Sequence, residues 1–188
     1  MVFLILKINT MKNLITLLAL TISFSMNAQW SPGTGEYSIQ TADATASGHY
    51  STAMGKDSAA SEWYSTAIGP NTIASGSGST AMGNNTEASG SLSTSMGRLT
   101  IASGDNSTAM GNRTDATGES STAMGRSTTA SDYGSLVIGQ YNSSGSSATS
   151  AASFNLANTA FVIGNGASAD SKSDAFKVMF NGDTHISG

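Results

Sequence analysis

With 188 residues, 11% of them charged and 7% aromatic, the chain suits one ordinary domain in length but has too few large side chains for a conventional globular core. Its formal charge of −4 argues against nucleic acid and against an electrostatic hold on anionic lipid. It has no cysteine, so no disulfide can compensate for a thin core.

The first predicted element is a targeting segment. Lys12, an apolar run from Leu14 to Phe24 and the small residue Ala28 before Gln29 follow the pattern of a secretory signal, so residues 1–28 are expected to be removed, with the true start at Met1 or Met11. The run is shorter than the roughly 20 apolar residues of a membrane-spanning helix. Loss of Lys7 and Lys12 with this segment would leave 6 basic against 12 acidic residues and a charge of −6. Residues 29–41 are expected to be a lead-in.

Residues 42–141 then repeat with a strict step of 14. STAMG begins at Ser51 and returns, with small changes, at Ser65, Ser79, Ser93, Ser107, Ser121 and, as SLVIG, at Ser135. A second phrase of the ASG type keeps the same step from Ala46 to Ala130. Abundant Ser, Gly, Thr and Asn would also suit disorder, but a disordered segment has no reason to hold Met or Ile at one phase of a long period. Fourteen residues with two glycines fit one coil of an all-β parallel solenoid: STAMG as one strand, Thr-x-Ala-Ser as a second, and the glycines in the turns. Coils about 4.8 Å apart would give a stack of about 30 Å for seven copies.

Side chains alternate across a strand, so Thr52 and Met54 share one face while Ser51, Ala53 and Gly55 share the other. A coil this small favours alanine inside. Met54, Ile68, Met82, Met96, Met110, Met124 and Ile138 then form an outer apolar ribbon, which identical chains in cyclic symmetry would cover. At about 25 cal/mol per Å2, that ribbon would contribute several kcal/mol per chain. The alternative puts Met and Ile inside and alanine outside. The variable pairs at the turn, from His49-Tyr50 to Tyr133-Gly134, and the variable residues Ile73, Glu87, Ile101, Asp115 and Thr129 read as the solvent face.

The STAMG/ASG alternation resembles the head repeat of YadA-like trimeric autotransporter adhesins, whose consensus is close to Asn-Ser-Val-Ala-Ile-Gly followed by small-Ala-small-Gly. The resemblance covers about residues 42–141. It implies a left-handed parallel β-roll, three of which pack about a common axis. The family's Val and Ile positions fall on Thr52 and Met54 and their repeats, so Thr makes this face more polar than the pattern.

After SLVIGQYN the phase is lost. Residues 142–166 read as a polar insertion, Ser143 to Asn158, and a closing coil in which Ile163-Gly164 repeats Ile138-Gly139 after a step of 25. Residues 167–188 alternate apolar and polar about Asn181-Gly182, a hairpin signal. No neck motif, coiled-coil heptads or membrane-anchor strands are legible, so the expectation is a piece of a longer surface protein or a secreted head anchored some other way.

No catalytic, cofactor or metal site is expected. His49 and His185 lie one at each end, Glu87 and Asp115 are two coils apart, and the Gly-Gly-x-Gly-x-Asp calcium repeat is missing. No serine sits in a Gly-x-Ser-x-Gly elbow, and VIGNG has no following helix or lysine for a phosphate loop. The leading expectation is therefore an exported, cell-surface, outer-membrane or extracellular adhesin head, a homotrimeric rod binding a matrix protein, a surface glycan or a neighbouring cell with avidity. His49, Tyr50, Trp63, Tyr64 and Tyr133 are its candidate contacts, against the plainer reading that they pack the turns. Alternatives are a passive spacer or an ice-binding face built on Thr52, Thr66, Thr80, Thr94, Thr108 and Thr122; an enzyme scaffold ranks last for want of a carboxylate cluster.

Overall fold

The computed structural model describes residues 31–143 and 150–187; the expected signal segment, 1–28, and part of the polar insertion lie outside the described residues. The described residues are all β. They form a parallel solenoid with two sheets, one of twelve strands and one of seven, whose strands alternate along the chain. The STAMG phrases supply the longer sheet: the Thr94–Arg98 strand pairs in parallel with Thr80–Asn84 above and Thr108–Asn112 below, with Met96 opposite Met82 and Met110. The second phrases supply two-residue strands such as Ile101–Ala102, placed between Glu87–Ala88 and Asp115–Ala116.

The interior settles which face lies inside. Ala53, Ala67, Ala81, Ala109 and Ala123 of the longer sheet face Ala60, Ala74, Ala88, Ala102 and Ala116 of the shorter one, all fully buried. Buried Ser51, Ser79 and Ser107 flank the first column, and buried Thr72, Thr86 and Thr100 the second. Each coil therefore closes over four small side chains, and no space remains for methionine. Where alanine gives way to Ser95, its hydroxyl is satisfied inside, 2.9 Å from Thr100 O and 2.7 Å from Thr100 Oγ1.

Two glycine columns permit the close stacking. Gly83, Gly97, Gly111 and Gly125 have φ from +119° to +132°, and a Cβ on any of them would overlap the carbonyl oxygen of the next glycine in the column. Each coil turns twice through a left-handed residue. The columns Tyr37, Tyr50, Tyr64, Leu92, Asn106, Ser120 and Asp57, Asn71, Asn85, Leu99, Arg113, Ser127, Tyr141 hold every non-glycine residue of positive φ among the described ones.

Both ends depart from the repeat. At the N-terminal end Ile39 pairs with Thr52, a step of 13, so a coil precedes the first STAMG phrase; Ser31–Pro32 covers it as an antiparallel strand. At the other end Leu136–Gln140 pairs in parallel with Thr159–Asn165, with Ile138 opposite Ile163, as the step of 25 anticipated. Asp174–Met179 and Thr184–Ile186 then add the expected hairpin, antiparallel to the rest. The shorter sheet ends on a side chain. Asn142 follows Thr128 in its column, and its carboxamide accepts from Thr129 N–H at 2.7 Å and donates to Thr129 O at 3.0 Å. It replaces the backbone of a strand that is no longer there, which blunts the edge.

Candidate functional site

Two surfaces come out of this geometry, one on a sheet and one on a turn. On the longer sheet Met54, Ile68, Met82, Met96, Met110, Met124 and Ile138 point outward in one ladder, extended by Ile163. They are half-buried by their neighbours along the column, and Met82 and Met124 are the most exposed at 37% each. Beside them run Thr52, Thr66, Thr80, Thr94, Thr108 and Thr122, continued by Leu136 and Phe161. The result is a narrow apolar strip with one hydroxyl per coil.

The turn surface is built from residues that the backbone strains. Each coil makes a four-residue turn closed by a buried serine, as when Ser51 N–H donates to Gly48 O at 3.3 Å and Ser79 N–H to Gly76 O at 3.1 Å. The third residue of that turn is left-handed, where Gly or Asn is at ease. Tyr37, Tyr50 and Tyr64 occupy it with φ of 56° to 57°. Their rings stack coil upon coil, with centroids 5.0 Å and 5.3 Å apart and planes within 15°. One residue earlier, His49 stacks on Trp63 at 4.8 Å, and the Trp63 indole meets Tyr64 edge-on at 6.1 Å. Glu36 carries the row further, with an oxygen 3.3 Å from His49 Nδ1.

The structure thus gathers His49, Tyr50, Trp63 and Tyr64 into one patch and leaves Tyr133 out of it. Tyr133 lies on the same edge five coils on, where the excursion crosses it: Tyr133 N–H donates to Ser150 O at 3.1 Å, and Glu119 N–H to Ala151 O at 2.7 Å. The fifth aromatic ring of the patch is Tyr37, which a search for a strict step of 14 passes over. Its signal was the Tyr-Ser pair at 37–38, repeated as Tyr50-Ser51 after 13 residues.

The shorter sheet turns Ile73, Glu87, Ile101, Asp115 and Thr129 outward, beside a shallow cleft of about 250 Å3 lined by Asn71, Ile73, Asn85, Glu87, Leu99 and Ile101. Burial raises the Asp115 carboxyl above its ordinary value, against a weaker opposing pull from Lys172. Among the described residues no group of three or more His, Asp or Glu could hold a metal ion, and no helix is long and apolar enough to cross a membrane.

The family model described as YadA head domain repeat (2 copies) matches residues 42–62, 64–86, 88–114 and 116–142. No curated protein matches the chain.

Proposed function

This chain belongs to the YadA head domain repeat family, and from that premise we propose that it is the head of a cell-surface adhesin, a homotrimer of rods that binds its ligands multivalently. The observation that carries the reading is the outward ladder of Met54, Ile68, Met82, Met96, Met110, Met124 and Ile138 on an otherwise Ser-, Thr- and Gly-rich coil. Alanine already fills the interior, so this ladder can lose its water only against another surface. Two further copies of the same ladder about a common axis match it in length and register at every coil. Completing the burial of a half-exposed Met or Ile is worth about 1 kcal/mol, hence several kcal/mol per chain.

A trimer would carry the aromatic turn edge three times around the rod. Weak contacts of His49, Tyr50, Trp63 and Tyr64 with a matrix protein, a surface glycan or a neighbouring cell would then add by avidity. The ice-binding alternative draws no support from the sheet face, where each coil offers one threonine beside a methionine or isoleucine. Sedimentation equilibrium of the chain without residues 1–28 tests the assembly. Three chains per particle are expected, and a folded monomer at micromolar concentration would refute the trimer.

A further inference from the structure

The aromatic ladder stops abruptly. After Trp63 and Tyr64 the next coil places Ser77 and Gly78 at the same turn, and the one after that places Ser91 and Leu92. Tyr50, covered on both faces, is 48% exposed, whereas Tyr64, covered on one, is 58% exposed. The outer face of Tyr64 is therefore bare, and so is that of Trp63, which has His49 behind it and only Ser77 ahead. Two coil spacings, about 9.6 Å, separate the levels of Tyr64 and Leu92. A flat ring in contact with Tyr64 needs about 3.5–4 Å, so a single ring enters above Tyr64 once the flexible Leu92 side chain swings back from the Gly78 level. Leu92 leans into that level from the far side, with Cδ2 2.7 Å from where a Cβ on Gly78 would stand.

The floor of this notch is polar. The N–H of the second turn residue points outward, and at three coils an oxygen reaches it: Asp105 Oδ1 at Ser91 (2.8 Å), Ala151 O at Glu119 and Ser150 O at Tyr133. At Ser77 no described group does, and the Ser77 hydroxyl is equally unengaged. Ser91 Oγ and the Asp105 carboxylate lie on the next two coils. The ionisable side chains along this edge are Glu36, His49, Glu62, Asp105 and Glu119, with no lysine or arginine among them.

We propose that the notch bounded by Trp63, Tyr64, Ser77, Gly78 and Leu92 is a subsite for one neutral pyranose ring of a surface glycan, its C–H face on Tyr64 and its hydroxyls on Ser77 N–H and the neighbouring hydroxyls. The inference rests on the adhesin reading and names that surface's ligand class. A sugar matches the notch because it pairs one apolar face with a rim of hydroxyls, whereas an aromatic peptide side chain would leave the polar floor unpaired. An anionic sugar would meet the acidic edge without a cation to answer it.

The test is saturation-transfer NMR on the full protein with methyl β-D-galactopyranoside, methyl α-D-mannopyranoside and sialyllactose as probes. Transfer from at least one neutral glycoside is expected. Gly78→Tyr, which continues the ladder in a backbone conformation that Tyr50 and Tyr64 already adopt, should abolish it by filling the notch. Tyr64→Ala should weaken it about tenfold. No transfer from either neutral glycoside, or transfer unchanged in Gly78→Tyr, overturns the subsite. Stronger binding of sialyllactose overturns its neutral character. Adhesion of the wild-type protein to a fixed cell monolayer is scored in parallel. Adhesion without glycoside transfer refutes the subsite and keeps the adhesin, whereas loss of both refutes both.

Discussion

Gly111→Ala isolates the force that sets the coil spacing. The φ of Gly111 is +131°, and an added Cβ would stand 2.9 Å from Gly125 C, 3.0 Å from Gly125 N and closer still to Gly125 O. A left-handed alanine costs about 1–2 kcal/mol by itself. Relieving the overlap requires the Thr108–Asn112 strand to part from Thr122–Arg126, where five residue pairs face one another. Losing two or three of the hydrogen bonds between them costs about 2–3 kcal/mol more. The expected total is therefore about 3–5 kcal/mol. Gly182→Ala is the control, because its φ is also positive, at +91°, but nothing lies within 4 Å of the added atom. It should cost about 1–2 kcal/mol. Urea unfolding followed by circular dichroism at fixed protomer concentration measures both. Equal costs for the two variants would refute the claim that stacking, and not backbone conformation, demands the glycine.

Three other outcomes follow from the same geometry. Met96→Glu and Met110→Glu would each bring three carboxylates together on the proposed axis, so sedimentation should show monomers at micromolar concentration with the strand signal kept; intact trimers would place the interface elsewhere. Asn142→Ala removes both carboxamide bonds to Thr129 and should destabilise by about 2–3 kcal/mol, with faster hydrogen exchange at the Thr129 amide; unchanged exchange there would refute the capping role. Asp115 holds its proton to higher pH in the folded chain than in the unfolded one, so its contribution is complete below the unfolded value and is lost as pH rises through the raised folded value. Asp115→Asn should therefore flatten the acid-range dependence of the urea midpoint and exceed the wild type at pH 7; an unchanged slope would remove burial as the cause.

Much of the fold was legible because its rules are local. Alternation within STAMG put Ala53 and Met54 on opposite faces, and a coil too small for methionine favoured alanine inside, which the burial of the alanine column settles. The 14-residue step set the register of Met82, Met96 and Met110, and Asn181-Gly182 marked the hairpin. These features depend on neighbours in sequence or on identical copies, so a pattern is enough to read them.

The tertiary structure decided what depends on unlike residues meeting at a distance. A step of 13 hid the coil that carries Tyr37, and only pairing with Thr52 shows that Ile39 continues the sheet. The return from the excursion is tied down by Asp132, whose buried Oδ2 accepts from Thr159 N–H at 2.8 Å across 27 residues, a contact without periodicity to announce it. The far end of the excursion crosses the turn edge at Glu119 and Tyr133, whose N–H groups donate to Ala151 O and Ser150 O. The notch beside Tyr64 exists because Gly78 contributes no ring to a column of rings. In sequence Ser77-Gly78 is one more small pair at a turn; stacked between Tyr64 and Leu92 it leaves one face of Tyr64 bare and lets Leu92 lean toward it, since what a missing side chain leaves is defined by the coils on either side.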